Sequence, residues 1–469
     1  MTLYLFDFNR NIKTPLYIQL YEFIKTEVLA GRLAMDTKMP SIRYFASQLN
    51  ISKNTVDTAY QQLCAEGYIE SLPKTGYFVS AIENNPSSNN NVLPSGHSYL
   101  PESIESKVVY DFRSDYIDQD SFSFPIWKKF INKALRDNRK FLTYGNNQGE
   151  PALRNEVAKY LRQSRGVTCH PEQIVIGAGV QSLIRIICSI LDPSSRDIAF
   201  EDPGFKKAQY IFQDHGFNII PIPIAEDGIN IKTLTQSRAK IVYVSPSHQF
   251  PLGTTMPVKK RNQLLKWAHE NNAFIIEDDY DSELRYFGKP IPSLQGMNGG
   301  VNVIYLGSFS KILIPSLRIS YMVIPPSLLP IYKNNMNKYN QTSATIEQIA
   351  LSLFMKEGNL EKHIRRLRKI YTRKNQIIIL SIHDIMQDKV SILGKESGLH
   401  ILLEIKTDLT ADKLVNLADK VGVKVTSVSN YYIENSETRY PQILLSFAGI
   451  PKDDIVVAIE LLHNAWFKS

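Results

Sequence analysis

Gly307-Ser308-Phe309-Ser310-Lys311, followed at Arg318 by a second cation, is the stretch of this chain best equipped for chemistry. Positions 303–306 form an apolar, β-branched and aromatic run ended by a glycine, the pattern of a buried strand. A lysine just past such a strand stands where an α/β sheet places its ligand, outside the carboxyl ends of the strands. Two serine hydroxyls and an arginine nearby can hold a phosphate and leave the amine free to form an imine. A lone lysine is ordinarily a solvated surface group, so the case for Lys311 rests on its company elsewhere.

Other strand ends supply that company. Positions 174–176 read as a short buried strand, followed by Gly177-Ala178-Gly179-Val180-Gln181 and then a helical pattern through Leu183, Ile184, Ile186 and Ile187. Strand, glycines and helix start is how backbone N–H groups are aimed at a phosphate. The strand at 197–200 leads into Glu201-Asp202-Pro203-Gly204-Phe205, where Phe205 either stacks on a flat ring or takes part in ordinary packing. The strand at 241–244 ends in Ser245-Pro246-Ser247-His248-Gln249-Phe250-Pro251-Leu252-Gly253, polar donors able to reach a ring hydroxyl or simply to form a turn. Positions 274–276 run into Glu277-Asp278-Asp279-Tyr280. Three adjacent carboxylates repel and need a cation if any is buried, either a metal or the protonated nitrogen of a pyridine ring.

These elements belong to a long chain. Its 469 residues exceed one ordinary domain, and 43% hydrophobic with 21% charged residues is a globular composition. The net charge of +8 suits a polyanionic partner. Cys64, Cys169 and Cys188 form no CxxC pair, which favours a reducing cytoplasm and argues against structural zinc. The apolar start at 1–8 is short and broken by Asp7, no signal peptide, and no apolar run approaches a membrane span. A cytoplasmic protein without a membrane partner is expected.

The first eighty residues read differently from the rest. Leu16, Leu20, Phe23, Ile24 and Val28 recur at helical spacing, with Gly31 placed to end that helix. Ser41 is suited to cap a second helix reaching Leu49, and Ser52 a third over 53–65. In the third, Val56, Ala59, Tyr60 and Leu63 face inward, while Lys53, Asn54, Thr55 and Thr58 lie on or near its exposed start. Two short helices with a tight turn, the second opening on polar and basic groups, describe a helix-turn-helix whose N-terminal side chains meet bases and phosphates. Strands at 68–72 and 77–80 around Pro73-Lys74-Thr75-Gly76 form a wing, with Lys74 at its tip to touch a phosphate.

This segment resembles the winged helix of the GntR regulators at Pro40-Ser41, Arg43, Ser52, Asn54-Thr55-Val56, Tyr60, Leu63, Glu66-Gly67 and Gly76. Lys53 stands where that family often has arginine, which retains the phosphate charge without the bidentate fork. Residues 81–107 are rich in Asn, Ser and Pro and read as a mobile linker. From 108 to 469, YGNNQGEPALR, GAGVQ, EDPGF, PSHQFPLG, EDDYDSELRY and SFSK…R resemble the class I, fold-type I aminotransferases. The joined pattern is similar to the MocR-type regulators over nearly the whole chain.

The resemblance implies a winged helix-turn-helix at 1–80 and an α/β, fold-type I aminotransferase-like domain at 108–469. Within the latter it implies a large cofactor subdomain over about 145–330 and a small one over about 345–469. It implies pyridoxal 5′-phosphate held as an aldimine on Lys311, with Asp278 on the ring nitrogen and Tyr280 near the ring oxygen. Gly179, Val180, Ser308, Ser310 and Arg318 would serve the phosphate, Phe205 would stack, and Tyr144 would reach into a partner subunit's site. Many aminotransferases carry an Asn-Pro-x-Gly where this chain has Phe250-Pro251-Leu252-Gly253, so His248 or Gln249 is expected to replace that asparagine. The C-terminal arginine that grips a substrate carboxylate in aminotransferases is missing from Val428-Ser429-Asn430-Tyr431-Tyr432, where the nearest arginine is Arg439; Lys206 or Lys207 is the alternative expected to bind a carboxylate as a point charge.

The expectation is a homodimeric transcription regulator that binds double-stranded operator DNA and senses a small amino compound at Lys311. The alternatives are a working aminotransferase with a DNA-binding head, and a regulator of the cofactor itself.

Overall fold

The computed structural model describes residues 6, 8–9, 13–81, 109–113, 116–136, 141–192, 194, 196–286, 291–434 and 439–468. The expected linker at 81–107 lies almost wholly outside the described residues. The chain divides into two compact units, 1–103 and 104–469.

In the first unit, α1 (Leu16–Leu29) buries Leu20, Tyr21, Ile24 and Val28. Ser41 Oγ accepts the Tyr44 amide to start α2 (Ile42–Gln48), and Ser52 Oγ accepts the Thr55 amide at 3.1 Å to start α3 (Lys53–Ala65). Each cap satisfies one of the amides a helix start leaves unpaired. Tyr60, fully buried, donates its hydroxyl to the Pro40 carbonyl at 3.0 Å and so ties α3 to the turn before α2. The strands β1 (Ile69–Leu72) and β2 (Gly76–Val79) pair antiparallel with Ile69 opposite Val79 and Leu72 opposite Gly76.

The second unit opens with β3 (Tyr110–Asp111), α4 (Phe124–Ala134) and α5 (Pro151–Arg165). Its main sheet contains β4 (Ile174–Gly177), β5 (Asp197–Asp202), β6 (Asn218–Ala225), β7 (Gly228–Ile229), β8 (Ile241–Val244), β9 (Phe274–Asp279), β10 (Val303–Ser308) and β11 (Ser320–Val323). They lie in the order β4-β11-β10-β9-β8-β5-β6-β7. The run from β10 to β6 is parallel, and β11 is antiparallel to both its neighbours. β4 and β8 are buried at every position, as continuous apolar runs covered on both faces must be. The helix α6 (Val180–Ile190) starts directly after β4.

β10 runs two residues past the expected end at 306. Gly307 does not stop it, because the Tyr321 ring lies against its Cα where a side chain would stand: a Cβ there would come within 2.4 Å of Tyr321 Cζ.

A 28-residue helix, Asn359–Met386, joins two hydrophobic cores. Leu360, Leu367 and Tyr371 belong to the core beside the main sheet, and Ile378, Ile382 and Met386 to the next. That next core lies under a four-stranded antiparallel sheet of Val390–Leu393, His400–Ile405, Gln442–Ser446 and Thr426–Ser427.

Candidate functional site

The carboxyl ends of β4, β5, β9 and β10 converge on a cavity of about 310 Å³. Lys311 lines it, just past β10, with Ser308, Ser310 and Arg318. Gly179 and Val180 come from the start of α6, Phe205 from beyond β5, and Asp278 and Tyr280 from the end of β9. Of the twelve residues expected to bind a cofactor, these nine, counting Lys311, share one cavity.

The acidic run after β9 resolves into three separate environments. Asp279 Oδ2 pairs with buried Arg165 Nε at 2.7 Å and accepts the Tyr305 hydroxyl. Glu277 accepts the backbone amides of Leu294 at 2.8 Å and Gln295 at 3.0 Å. Among the described residues, Asp278 has neither a cation nor amides. Its Oδ2 accepts the Tyr243 hydroxyl at 2.6 Å, and its Oδ1 is buried without a partner. Burial pushes the Asp278 carboxyl up to about 7; Tyr243 opposes that, and Asp279 and Asp281 add to it. An N–H cation facing Oδ1 would satisfy the orphan oxygen and reverse the shift. The protonated nitrogen of a pyridine ring has that chemistry, so the residues present fit the implied cofactor.

The other end of the cavity suits a phosphate. Gly179 has φ +84°, and a Cβ on it would come within 2.4 Å of Arg318 Nη2. The missing side chain is what lets the guanidinium approach the helix start. The Gly179 amide is itself bonded to the Gly177 carbonyl at 2.9 Å, so the donors at this start are the amides of Val180 and Gln181, which lack intrahelical acceptors. Gln181 also lines the cavity and was not singled out in the sequence, although its place in the first turn after GAGV was a usable signal. Ser308 Oγ pairs with Ser320 Oγ at 2.9 Å and accepts the Ser310 amide at 3.2 Å, which fixes the turn leading to Lys311.

Three residues expected at the cofactor are not among those lining the cavity. Gln249 gives its amide nitrogen to the carbonyls of Pro203 and Phe250 at 2.9 and 2.7 Å, while its oxygen takes the Leu252 amide. All of its polar capacity goes into holding the loop. His248, 2% exposed, faces Asp281 and the Tyr280 hydroxyl. Neither residue therefore takes the place of the missing asparagine at a ring oxygen; His248 acts one residue removed, on Tyr280. Tyr144 is 84% exposed and is also not among the cavity residues. Lys207 lines the cavity and Lys206 does not. Leu399, His400 and Ser446 line it from the four-stranded sheet, a contribution the sequence did not disclose.

In the first unit, Ser41, Arg43, Ser52, Lys53, Asn54, Thr58 and Lys74 are exposed, and Thr55 and Gly76 are half-buried. Ser41, Ser52 and Thr55 are partly engaged in the caps, and Thr58 Oγ1 donates to the Asn54 carbonyl at 2.8 Å. That leaves Arg43, Lys53 and Asn54 as outward groups about α2 and the start of α3. Lys74, with φ +62°, stands at the wing tip.

Residues 16–79 match the bacterial regulatory proteins of the gntR family, and residues 113–462 match aminotransferase class I and II. The chain is 42% identical to the HTH-type transcriptional regulator YdeL of Bacillus subtilis, over 98% of each chain. It is 31% identical to the probable rhizopine catabolism regulatory protein MocR of Rhizobium meliloti, over 98% of this chain and 95% of that one. The chain belongs to the MocR-type regulators. Among solved structures, this MocR-type regulator is similar to a Pyrococcus horikoshii kynurenine aminotransferase complexed with PMP. That likeness has a TM-score of 0.69 and 25% identity, over 76% of this chain and 90% of that one. The MocR-type chain thus joins a DNA-binding GntR winged helix to a domain of the pyridoxal phosphate-dependent aminotransferase fold. No helix among its described residues is long and apolar enough to cross a membrane.

Proposed function

We propose that this protein is a transcription regulator whose aminotransferase-like domain holds pyridoxal 5′-phosphate and senses a small amino compound at Lys311. The observation that carries this reading is the unpartnered Asp278 Oδ1 in the same cavity as Lys311 and the Gly179–Arg318 cradle. When bound, the cofactor supplies an aldehyde that condenses with primary amines and a ring that withdraws electrons. Arg318 and the amides opening α6 grip the phosphate. Asp278 keeps a proton on the nitrogen facing it, Phe205 lies against the ring, and Tyr280 offers its hydroxyl proton to the ring oxygen. Lys311 would hold the cofactor's aldehyde carbon through its amine, at the place an effector amine would compete for.

In a homodimer the exposed Tyr144 would reach the partner's cavity, and two winged helices would read paired half-sites within the reach set by the linker. An effector alters DNA binding only through a difference in its affinity for two arrangements of the dimer.

The test is a visible-absorbance screen of primary amines against the cofactor-loaded protein, followed by operator binding with each amine that perturbs the spectrum. A perturbing amine that also changes operator affinity supports the reading, and Lys311→Ala should abolish both responses. Spectral changes that never alter DNA binding, with steady release of a keto acid, would replace it with a working aminotransferase. Operator affinity that follows the cofactor alone would make the cofactor the signal.

A further inference from the structure

The cavity wall supplied by the four-stranded sheet has a feature that the aminotransferase chemistry does not use. His400 and Ser446 are paired in register on adjacent strands, and both line the cavity with Leu399. His400 is 4% exposed, with its ring stacked on His248 at 4.7 Å and edge-on to Phe250 at 5.6 Å. The Pro251 backbone carbonyl is set against the ring, and Nε2 is buried without a partner among the described residues. Burial, reinforced by His248 and Lys311, holds the ring neutral. A neutral imidazole that donates through one nitrogen is an acceptor at the other.

That acceptor selects among ligands. A carboxylate has no proton to give it. A second ammonium has protons but would join Lys207, Lys311 and Arg318 in the same cavity. A hydroxyl can donate to it without adding charge. The remaining cations do not counter this: Arg318 lies against Gly179 at the helix start, and Lys207 is exposed. Phe250 and Leu399 give the cavity that holds the lysine and the histidine apolar surface for a hydrocarbon chain.

We propose that His400 is the specificity-determining residue of the effector site, and that the effector is a primary amine carrying a hydroxyl, donated to His400 Nε2. This rests on the reading of the cavity as an amine sensor.

The experiment titrates cofactor-loaded full-length protein by visible absorbance with propanolamine, propylamine and β-alanine, and with their shorter and longer homologues. At the best chain length, the amino alcohol should bind at least about tenfold more tightly than the plain amine, with the amino acid weakest. His400→Phe should bring the ratio of amino alcohol to plain amine close to one. His400→Gln, which retains an acceptor oxygen, should restore part of it. Equal affinity of the alcohol and the plain amine in the wild type, or tightest binding by the amino acid, overturns the proposal. So does a preference that survives in His400→Phe. If no amine perturbs a spectrum in which the cofactor is plainly present, the sensing reading itself fails and this one falls with it. Amines that bind the wild type without discrimination, or a preference that His400→Phe leaves intact, overturn only the role of His400.

Discussion

His248 Nδ1 lies 2.9 Å from Asp281 Oδ2 and 3.1 Å from Oδ1, and both residues are buried. The carboxylate can only accept, so the single proton on Nδ1 points toward it. The Tyr280 hydroxyl, 3.0 Å from the same protonated nitrogen, finds no lone pair there to donate to; it can only share that N–H as a second acceptor, and its own proton is left for the cavity. Burial and the charges of Asp281 and Asp278 raise the Tyr280 phenol well above its ordinary range, so that proton is retained at working pH. His248 is a positioning residue that acts through Tyr280.

Asp281→Asn tests this directly. The amide can donate to Nδ1, inverting the tautomer and turning the Tyr280 proton back toward the imidazole. Loss of one charge-assisted hydrogen bond is worth roughly 1.5–3 kcal/mol. Amine titrations followed by absorbance should accordingly weaken by about tenfold or more, while operator binding without amine is unchanged. An unaltered amine titration would show that Tyr280 is oriented by something else.

Asp278 sets a pH dependence whose sign follows from its burial. Its carboxyl sits at about 7 in the folded protein against an ordinary 3.8, so between those values the folded state holds the extra proton. Stability is then lost as pH rises through that window. In cofactor-free protein, Asp278→Asn should match the wild type below about pH 4 and exceed it above about pH 7, by on the order of a few kcal/mol. The cofactor's ring cation should cancel the alkaline loss in the wild type and give the variant little benefit. Thermal unfolding across pH, with and without the cofactor, measures all four cases.

At position 179 both the backbone and the space are committed. With φ +84° and Arg318 Nη2 only 2.4 Å from where a Cβ would stand, Gly179→Ala must either strain the turn or push the guanidinium aside. Cofactor affinity should fall about tenfold or more, as expected when a strained turn costs on the order of 1–3 kcal/mol. Equilibrium dialysis of the cofactor reads this loss, and an equal loss of affinity for phosphate-free pyridoxal would place the defect elsewhere.

Much of this site was legible because each group sits at the end of an element with a short-range signature. Lys311 follows an apolar run, Gly179 opens a helix, and Ser41 and Ser52 announce α2 and α3. What could not be read was which of the acids 277–279 lacks a partner. That depends on Arg165 from α5 and on amides at 294–295, more than a hundred positions away in the first case. His248 and Gln249 were misplaced for a related reason. Both follow a strand whose end faces the cavity, but the loop turns them toward Asp281 and Pro203, and adjacency in sequence carries no information about that turn. His400 lay in an unremarkable strand, and only its register with Ser446 brings it to the wall.

The winged helix offers a prediction independent of any ligand. Lys53 and Lys74 are both exposed, one opening α3 and the other at the wing tip, and neither residue's ammonium is needed for a cap or for the core beneath. Each is placed to neutralise a phosphate, and every neutralised phosphate contributes about 0.9 to the slope of log affinity against log salt. Lys74→Ala should lower that slope by about one and weaken operator and unrelated duplexes alike. Lys53→Ala should do the same if its contact is to backbone only. Lys53→Arg separates the alternatives: a guanidinium can fork onto a guanine where an ammonium cannot. It should therefore leave the salt slope intact and change the preferred base at one position in each half-site. Binding isotherms on an operator library at several salt concentrations, using the intact protein, decide between them. A slope unmoved by either alanine variant would mean that α3 and the wing do not face the duplex.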